Sequence, residues 1–310
     1  MHLRGASKEL FTARVTPNTV TSLRPTGPRR CGLFVPGSSA RMLAKAASLG
    51  ADELVLDLED SVAPTVKQQA RRQVVEALQT PLGRSAVRVN EVGSQYVLDD
   101  IRDLVTAPVP PDSLVVPKVE SRDDVVFLDR LLAGLEQLTG RAAPRLQLLV
   151  ETARGLRRVD ELLSVSARVE AVVLGYADLA ASLRRDAYDT TQAPETWLPY
   201  QASVVAAARA AGVRAVDGPH LVLDDETGLV AAARRARVLG FDAKWAVHPA
   251  QLPVISAAFR VDEDELRAAH EVLAAAGAAD QAVGALSVQG RMVDEAVLKQ
   301  ARNVLEQAGE

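Results

Sequence analysis

Cysteine is almost absent from this chain. Cys31 is the one copy in 310 residues, which excludes an internal disulfide and the cysteine-rich zinc motifs. A single cysteine at the start of an apolar run reads as a small buried hydrophobe. Neither sign of charge dominates: the net charge is -4 and the pI about 5.7, so no basic field invites nucleic acid or anionic lipid. No apolar run approaches the roughly 18 residues that span a membrane. No GxGxxG follows a strand-like run, and neither a Walker-type loop nor a GxSxG is present. Nucleotide-phosphate hydrolysis and serine-hydrolase chemistry therefore lack their usual sequence support.

What is present is ordinary globular composition, 48% hydrophobic and 25% charged, at a length that suits two average domains or one large α/β barrel. Residues 1–30 stand apart. They carry Arg4, Lys8, Arg14, Arg24, Arg29 and Arg30 against a single acid, Glu9. Without an apolar stretch they form no secretory signal, and residues 1–29 read as a frayed lead segment before the first strand. The expected location is cytoplasmic.

From residue 31 the chain alternates short apolar runs with helical patterns. The runs are "CGLFVPG" (31–37), "ELVLDLED" (53–60), "SAVRVNE" (85–91), "SLVVPKVE" (113–120), "RLQLLVET" (145–152), "VEAVVLGY" (169–176), "VRAVDG" (213–218) and "DAKWAVHP" (242–249). Near-continuous apolar character is how strands buried on both faces of a parallel sheet read. Helix signals lie between them. Thr65 to Gln68 has capping-box form, and the segment 121–140 opens on Ser121 and closes on Gly140. The strand ends recur about every 30 residues, the length of one βα unit. Eight such units predict a (β/α)8 barrel over residues 30–258. Residues 186–197 read as an insertion. Residues 259–310 form a C-terminal extension with helices at 262–276 and 294–308, joined by the linker 277–292, and serve as oligomer contacts or a lid.

Polar residues cluster where the apolar runs end: Asp57 and Glu59, Arg88 and Asn90, Lys118 and Glu120, Glu151, Asp217 and His248, with Asp178 just after the sixth run. In a (β/α)8 barrel those ends build the active site. As a set, the carboxylates suit a hard divalent cation such as Mg²⁺, held by oxygens with positions left open for substrate. Each residue also has a plainer reading. Asp178 suits a helix N-cap, His248 a core histidine, and Asp60 a solvated or capping residue. Arg41 and Lys45, four apart, suit either an anion near a helix start or a solvated basic face.

The segments "LFVPGSSARMLAKAASLGADELVLDLEDSVAPTVKQQAR", "VRVN", "VPKVES", "LLVETARG", "LGYADLAASL", "DAKWAVHPAQ" and "GRMVDEAVLKQA" run in one order over residues 30–305. In that order the chain resembles the citrate lyase beta-subunit-like acyl-CoA lyases. That group includes malyl-CoA and citramalyl-CoA lyases, within the HpcH/HpaI aldolase superfamily. The resemblance implies a Mg²⁺-dependent barrel that assembles as a trimer or a multiple of one. It implies Glu151 and Asp178 as metal ligands and Arg88 as the contact to the substrate's oxygens. Phe34, Arg41 and Lys45 fall at family contacts to the CoA moiety, and Val247 and His248 at another substrate-contacting stretch. Asp294 matches an acid/base aspartate delivered from a neighbouring subunit. Asp57 and Glu59 are expected to support the site from behind the substrate-contacting groups. Where relatives often read "GAED", this chain has Tyr176 and Ala177 beside Asp178.

The implied reaction is carbon–carbon cleavage of a 3-hydroxyacyl-CoA, such as malyl-CoA or citramalyl-CoA, to acetyl-CoA plus a 2-oxoacid, or the reverse condensation. Other readings use the same residues: a malyl-CoA-type thioesterase, a citrate lyase beta subunit working on a citryl carrier protein, or a non-catalytic acyl-CoA-binding subunit.

Overall fold

The computed structural model describes residues 29–185, 193–278, 286–288 and 291–309. Eight parallel strands close on themselves in chain order: β1 (Cys31–Pro36), β2 (Glu53–Asp57), β3 (Ser85–Arg88), β4 (Ser113–Val116), β5 (Arg145–Val150), β6 (Val169–Leu174), β7 (Arg214–Asp217) and β8 (Ala243–Ala246). The barrel shuts where Cys31, Gly32 and Leu33 of β1 pair with Lys244, Trp245 and Ala246 of β8. This is the expected (β/α)8 barrel with added C-terminal helices.

The helices of the outer ring are α1 (Ala40–Ala46), α2 (Lys67–Ala77), α3 (Val97–Thr106), α4 (Arg122–Thr139), α5 (Ala153–Arg157), α6 (Val159–Leu163), α7 (Tyr176–Ser182), α8 (Leu198–Ala211), α9 (Glu226–Leu239) and α10 (Leu252–Phe259). Ser121 caps α4 as its sequence predicts: its hydroxyl accepts from the Asp124 N–H, Asp124 reaches back to complete the box, and Gly140 ends the helix at φ 66. The box expected from Thr65 to Gln68 does not form. Pro64 opens a 3₁₀ turn, Pro64–Val66, and α2 starts at Lys67 without a side-chain cap. Proline's fixed φ suits the first position of such a turn, which puts Thr65 inside it and not at its cap.

Side chains alternate across each strand. Val55, Ala86, Val115, Leu149, Ala171, Val173, Val216, Ala243 and Trp245 fill the barrel, with Phe34 packed on them. The intervening residues, such as Leu54, Leu56, Leu114, Leu148 and Val172, join a larger core shared with the helices. Burial on both faces is the physical reason the runs read as continuous. The strands stop one to four residues short of the apolar runs read from sequence, so Glu59, Asn90, Lys118, Glu151, Asp178 and His248 all sit in the loops and helix starts that follow. At the opposite end of the barrel, Gln147 donates to Glu53 (3.0 Å) and Ser113 (2.8 Å), and Arg29 pairs with Glu170 (2.8 Å). That polar floor belongs to the stability face of such barrels.

Beyond α10 come α11 (Glu263–Ala278), a hairpin of β9 (Leu286–Val288) and β10 (Arg291–Val293), and α12 (Glu295–Ala308). Both helices match their expected positions. The hairpin was hidden in a linker whose glycines and alanines gave no strand signal. α12 is tied to the barrel by Arg30, which donates to the Gln307 carbonyl at 3.2 Å. Residues 1–28 of the lead segment and 186–192 of the expected insertion lie outside the described residues. Among the described residues no helix is long and apolar enough to cross a membrane.

Candidate active site

Inward positions at the ends of β2 and β3 carry opposite charges at matched register, Asp57 opposite Arg88. The guanidinium donates from Nε to Asp57 Oδ1 (2.7 Å) and from NH2 to Oδ2 (2.8 Å), the two-pronged geometry that fits a carboxylate. Asp57 also accepts the N–H groups of Glu59 (2.9 Å) and Ser61 (3.1 Å), which folds the loop after β2 back over the strand. Burial alone would raise the Asp57 carboxyl. The Arg88 hydrogen bonds and charge outweigh that and hold it below the usual carboxylate range. Arg88 is kept firmly charged by the same pair against the cost of its own burial. Its guanidinium lies 5.0 Å from the Phe34 ring centre, a cation–π distance, and Phe34 in turn packs edge-on against Trp245 at 4.7 Å.

Glu59 bridges two cations. Its Oε1 accepts from Lys118 Nζ at 2.6 Å. Its Oε2 lies 2.9 Å from Arg88 NH1 as an ion pair, without an aligned hydrogen bond. Below it, buried Lys67 donates to the carbonyls of Leu58 (2.8 Å) and Glu59 (2.7 Å) and to Asn90 Oδ1 (2.6 Å), locking the loops after β2 and β3 together.

Lys118 adopts a left-handed backbone, φ 52, uncommon for a residue with a side chain. That turn aims its N–H at Glu151 Oε1, 3.0 Å away. Glu151 is 3% exposed, and its carboxyl is pushed up to about 8. Burial is the first cause, the nearby Glu59 and Asp178 charges the next, and Arg88 and Lys118 offset only part of it. Gly175, at the end of β6, leaves the space Glu151 needs: a Cβ there would stand 2.7 Å from both the Cβ and the Oε2 of Glu151. Asp178 is the third residue of α7 and not its cap, which is Gly175.

Glu151, Asp178, Arg88 and Asp57 line one cavity of about 440 Å³ whose walls include Phe34, Leu149, Tyr176, Trp245 and Val247. Among the described residues no group of three or more His, Cys, Asp or Glu is arranged to hold a metal ion. The site offers a pair. That pair fits a hard divalent cation on this structure's own terms. Both ligating groups are carboxylates, Glu151 is buried beside the charges of Asp178 and Glu59, and glycine stands where a side chain would crowd its oxygen.

Of the other residues singled out in the sequence, Phe34 and Val247 reach this cavity. Arg41 and Lys45 lie exposed on α1, outside its lining. His248 is neither core nor lining. It is exposed, and its Nδ1 accepts the Ala250 N–H at 3.2 Å to cap the 3₁₀ turn Pro249–Gln251. Asp294 caps α12 by accepting the Val297 N–H at 3.0 Å and is not among the residues lining its own chain's cavity. Sequence reasoning left out Lys67, Trp245 and Lys244. The signal for Lys244 was visible, a lysine inside an otherwise apolar strand.

The family described as HpcH/HpaI aldolase/citrate lyase matches residues 30–249. The chain is 37% identical over 304 residues to the L-malyl-CoA/beta-methylmalyl-CoA lyase of Cereibacter sphaeroides, covering 92% of this chain and 96% of that one. It is 35% identical to the citrate lyase subunit beta of Escherichia coli, over 92% of this chain and 95% of the other. Among solved structures, CitE of Mycobacterium tuberculosis in complex with magnesium, acetoacetate and coenzyme A superposes with a TM-score of 0.76 at 31% identity, covering 92% and 100% of the two chains. A citrate lyase of Burkholderia xenovorans gives a TM-score of 0.81 at 26% identity, over 91% and 92%. Likeness in sequence and in fold thus extends along nearly the whole chain, and the protein belongs to the HpcH/HpaI aldolase/citrate lyase family.

Proposed function

We propose that this protein is a Mg²⁺-dependent carbon–carbon lyase acting on a 3-hydroxyacyl-CoA, releasing acetyl-CoA and a 2-oxoacid or joining them in reverse. The observation that carries this is the meeting of Glu151, Asp178 and Arg88 in one cavity at the strand ends. Glu151 and Asp178 would hold the cation. When bound there, Mg²⁺ supplies Lewis acidity to the carboxylate and the hydroxyl or keto oxygen of the substrate. Arg88, oriented by Asp57 and Glu59, stabilises negative charge growing on that oxygen. In cleavage the hydroxyl gives up its proton to solvent water, and the electron pair of the breaking C–C bond passes to the thioester as an enolate. Asp294, delivered from a neighbouring copy of the chain, returns a proton to that carbon. The assembly is therefore part of the proposal, three chains or a multiple of three, as is a cytoplasmic location. Phe34, Arg41, Lys45, Val247 and His248 take the role of contacts to CoA and substrate.

The cavity favours a 2-oxoacid with one carboxylate. Arg88 is the one cationic side chain among the described residues that line it, and Asp57 and Glu59 already engage it. A second carboxylate, as a citryl substrate carries, would meet the walls of Leu149, Tyr176 and Trp245 or the acids themselves. The test is product analysis by mass spectrometry with Mg²⁺ and a panel of malyl-, citramalyl- and citryl-CoA. Acetyl-CoA plus a 2-oxoacid from malyl- or citramalyl-CoA is the expected outcome. Free CoA plus intact hydroxyacid would replace the lyase with a thioesterase. Cleavage of citryl-CoA alone would overturn the single-carboxylate reading.

A further inference from the structure

Helix α7 is only two turns long, and its first turn carries Asp178. No side-chain cap fixes that turn, because Gly175 supplies none. Tyr176, two residues before Asp178, reaches outward instead. Its hydroxyl donates to Oδ1 of Asp217 at the end of β7 and accepts from Gln201 Nε2 of α8 at 2.7 Å. Asp217 is itself held from β8, where Lys244 Nζ donates to its Oδ2 (2.6 Å) and to the Gly218 carbonyl (2.6 Å). Asp217, Lys244 and Gln201 are at most 2% exposed. The ring packs edge-on against Trp197 at 5.0 Å. It also lies over Gly218, where a Cβ would come within 2.9 Å of Tyr176 Cδ2. Neighbouring elements thus converge on one phenol, β7 and α8 directly and β8 through Asp217.

We propose that Tyr176 is a positioning residue: the chain Tyr176–Asp217–Lys244 fixes the first turn of α7 and so sets where Asp178 stands relative to Glu151. The inference rests on the reading of Glu151 and Asp178 as the cation's ligands. Beside the core packing of Leu179, two contacts bracket the turn. On one side Gly175 closes directly on the Glu151 side chain; on the other the phenol is anchored to β7 and α8. Remove the anchor and α7 can pivot about Gly175, carrying Asp178 with it. A small hard cation that demands near-ideal ligand geometry responds steeply to such a shift, and partners behind metal ligands commonly matter by about 10–100-fold in affinity. A tyrosine that only filled the core would affect stability and leave the cation alone.

The test uses the full-length protein and Mn²⁺ as the probe, titrated by calorimetry in the absence of substrate. Tyr176→Phe keeps the ring and removes the hydroxyl. Its Mn²⁺ dissociation constant should rise about tenfold, and the KM for Mg²⁺ should rise in step. Gln201→Leu, which removes the second hydrogen bond, should move Mn²⁺ affinity the same way by less, and it serves if Tyr176→Phe fails to fold. Trp197→Phe trims packing on the same ring without touching the hydroxyl; it should lower the melting temperature and leave Mn²⁺ affinity unchanged. Parent-like Mn²⁺ binding by Tyr176→Phe overturns the proposal. Asp178→Ala separates the two ways of failing. If it still binds Mn²⁺ normally, the ligand assignment falls and takes the tether with it. If it loses Mn²⁺ while Tyr176→Phe binds as the parent does, the tether alone falls.

Discussion

Arg88 and Asp57 stand side by side at the ends of adjacent strands and share two hydrogen bonds of 2.7 and 2.8 Å, with Asp57 fully buried. The pair sets the plane of the guanidinium before any substrate arrives, so Arg88 acts without a reorganisation cost. Arg88→Lys keeps the charge and loses the fork. Its kcat should fall about 100-fold or more with a smaller change in KM, read from steady-state kinetics on the hydroxyacyl-CoA identified by product analysis. Asp57→Ala leaves a largely buried cation with less compensation and should cost about 3–5 kcal/mol in urea unfolding.

Glu151 makes metal-free stability depend on pH. Its folded carboxyl titrates at about 8 against an ordinary 4.5, so between those values the folded chain holds a proton that the unfolded chain has released. Its contribution is therefore fully present below about pH 4.5, declines as pH rises, and is gone above about 8. Urea midpoints of the metal-free protein should fall more between pH 5 and 8 than those of Glu151→Gln. Mg²⁺ added at pH 8 should restore the parent and not the variant.

Asp294 caps α12 with its side chain, and asparagine caps nearly as well. Asp294→Asn should therefore fold, bind Mn²⁺ like the parent and turn over no substrate. A shared site gives a sharper readout. Asp294→Asn and Glu151→Gln chains, each inactive alone, should regain activity when unfolded and refolded together, because a mixed assembly contains cavities with both groups intact. Continued inactivity in mixed assemblies verified by mass spectrometry would remove Asp294 from the neighbour's site.

Lys67 holds two carbonyls and Asn90 beneath the Glu59 loop. Lys67→Met leaves those buried acceptors unpaired, at a cost of about 1–3 kcal/mol. It should also lower kcat, because the loop that presents Glu59 to Arg88 and Lys118 is no longer pinned. A variant that loses stability and retains parent kcat would limit Lys67 to folding.

The sequence by itself determined the barrel and most of its cavity. Strands buried on two faces must be apolar throughout, and a βα unit has a characteristic length, so eight short runs at even spacing left little choice of fold. Asp57, Arg88 and Glu151 were legible as charges that interrupt those runs, because in such barrels the strand ends face the site. Pairing across the chain was beyond local pattern. That Arg88 answers to Asp57 rather than Glu91, that Lys118 turns left-handed to reach Glu151, and that Tyr176 is anchored by Asp217, 41 residues away, depends on which strands close beside which. His248 shows the converse: the partner of its ring lies only two residues on, where its Nδ1 accepts the Ala250 N–H. The hairpin before α12 was invisible because β9 and β10 are only three residues each, too short for an alternating pattern to show. Apolar periodicity is local, and so the fold could be read along the chain. The partners of each buried charge are set by closure of the barrel, which brings distant residues together where an unpaired charge would be too costly to bury.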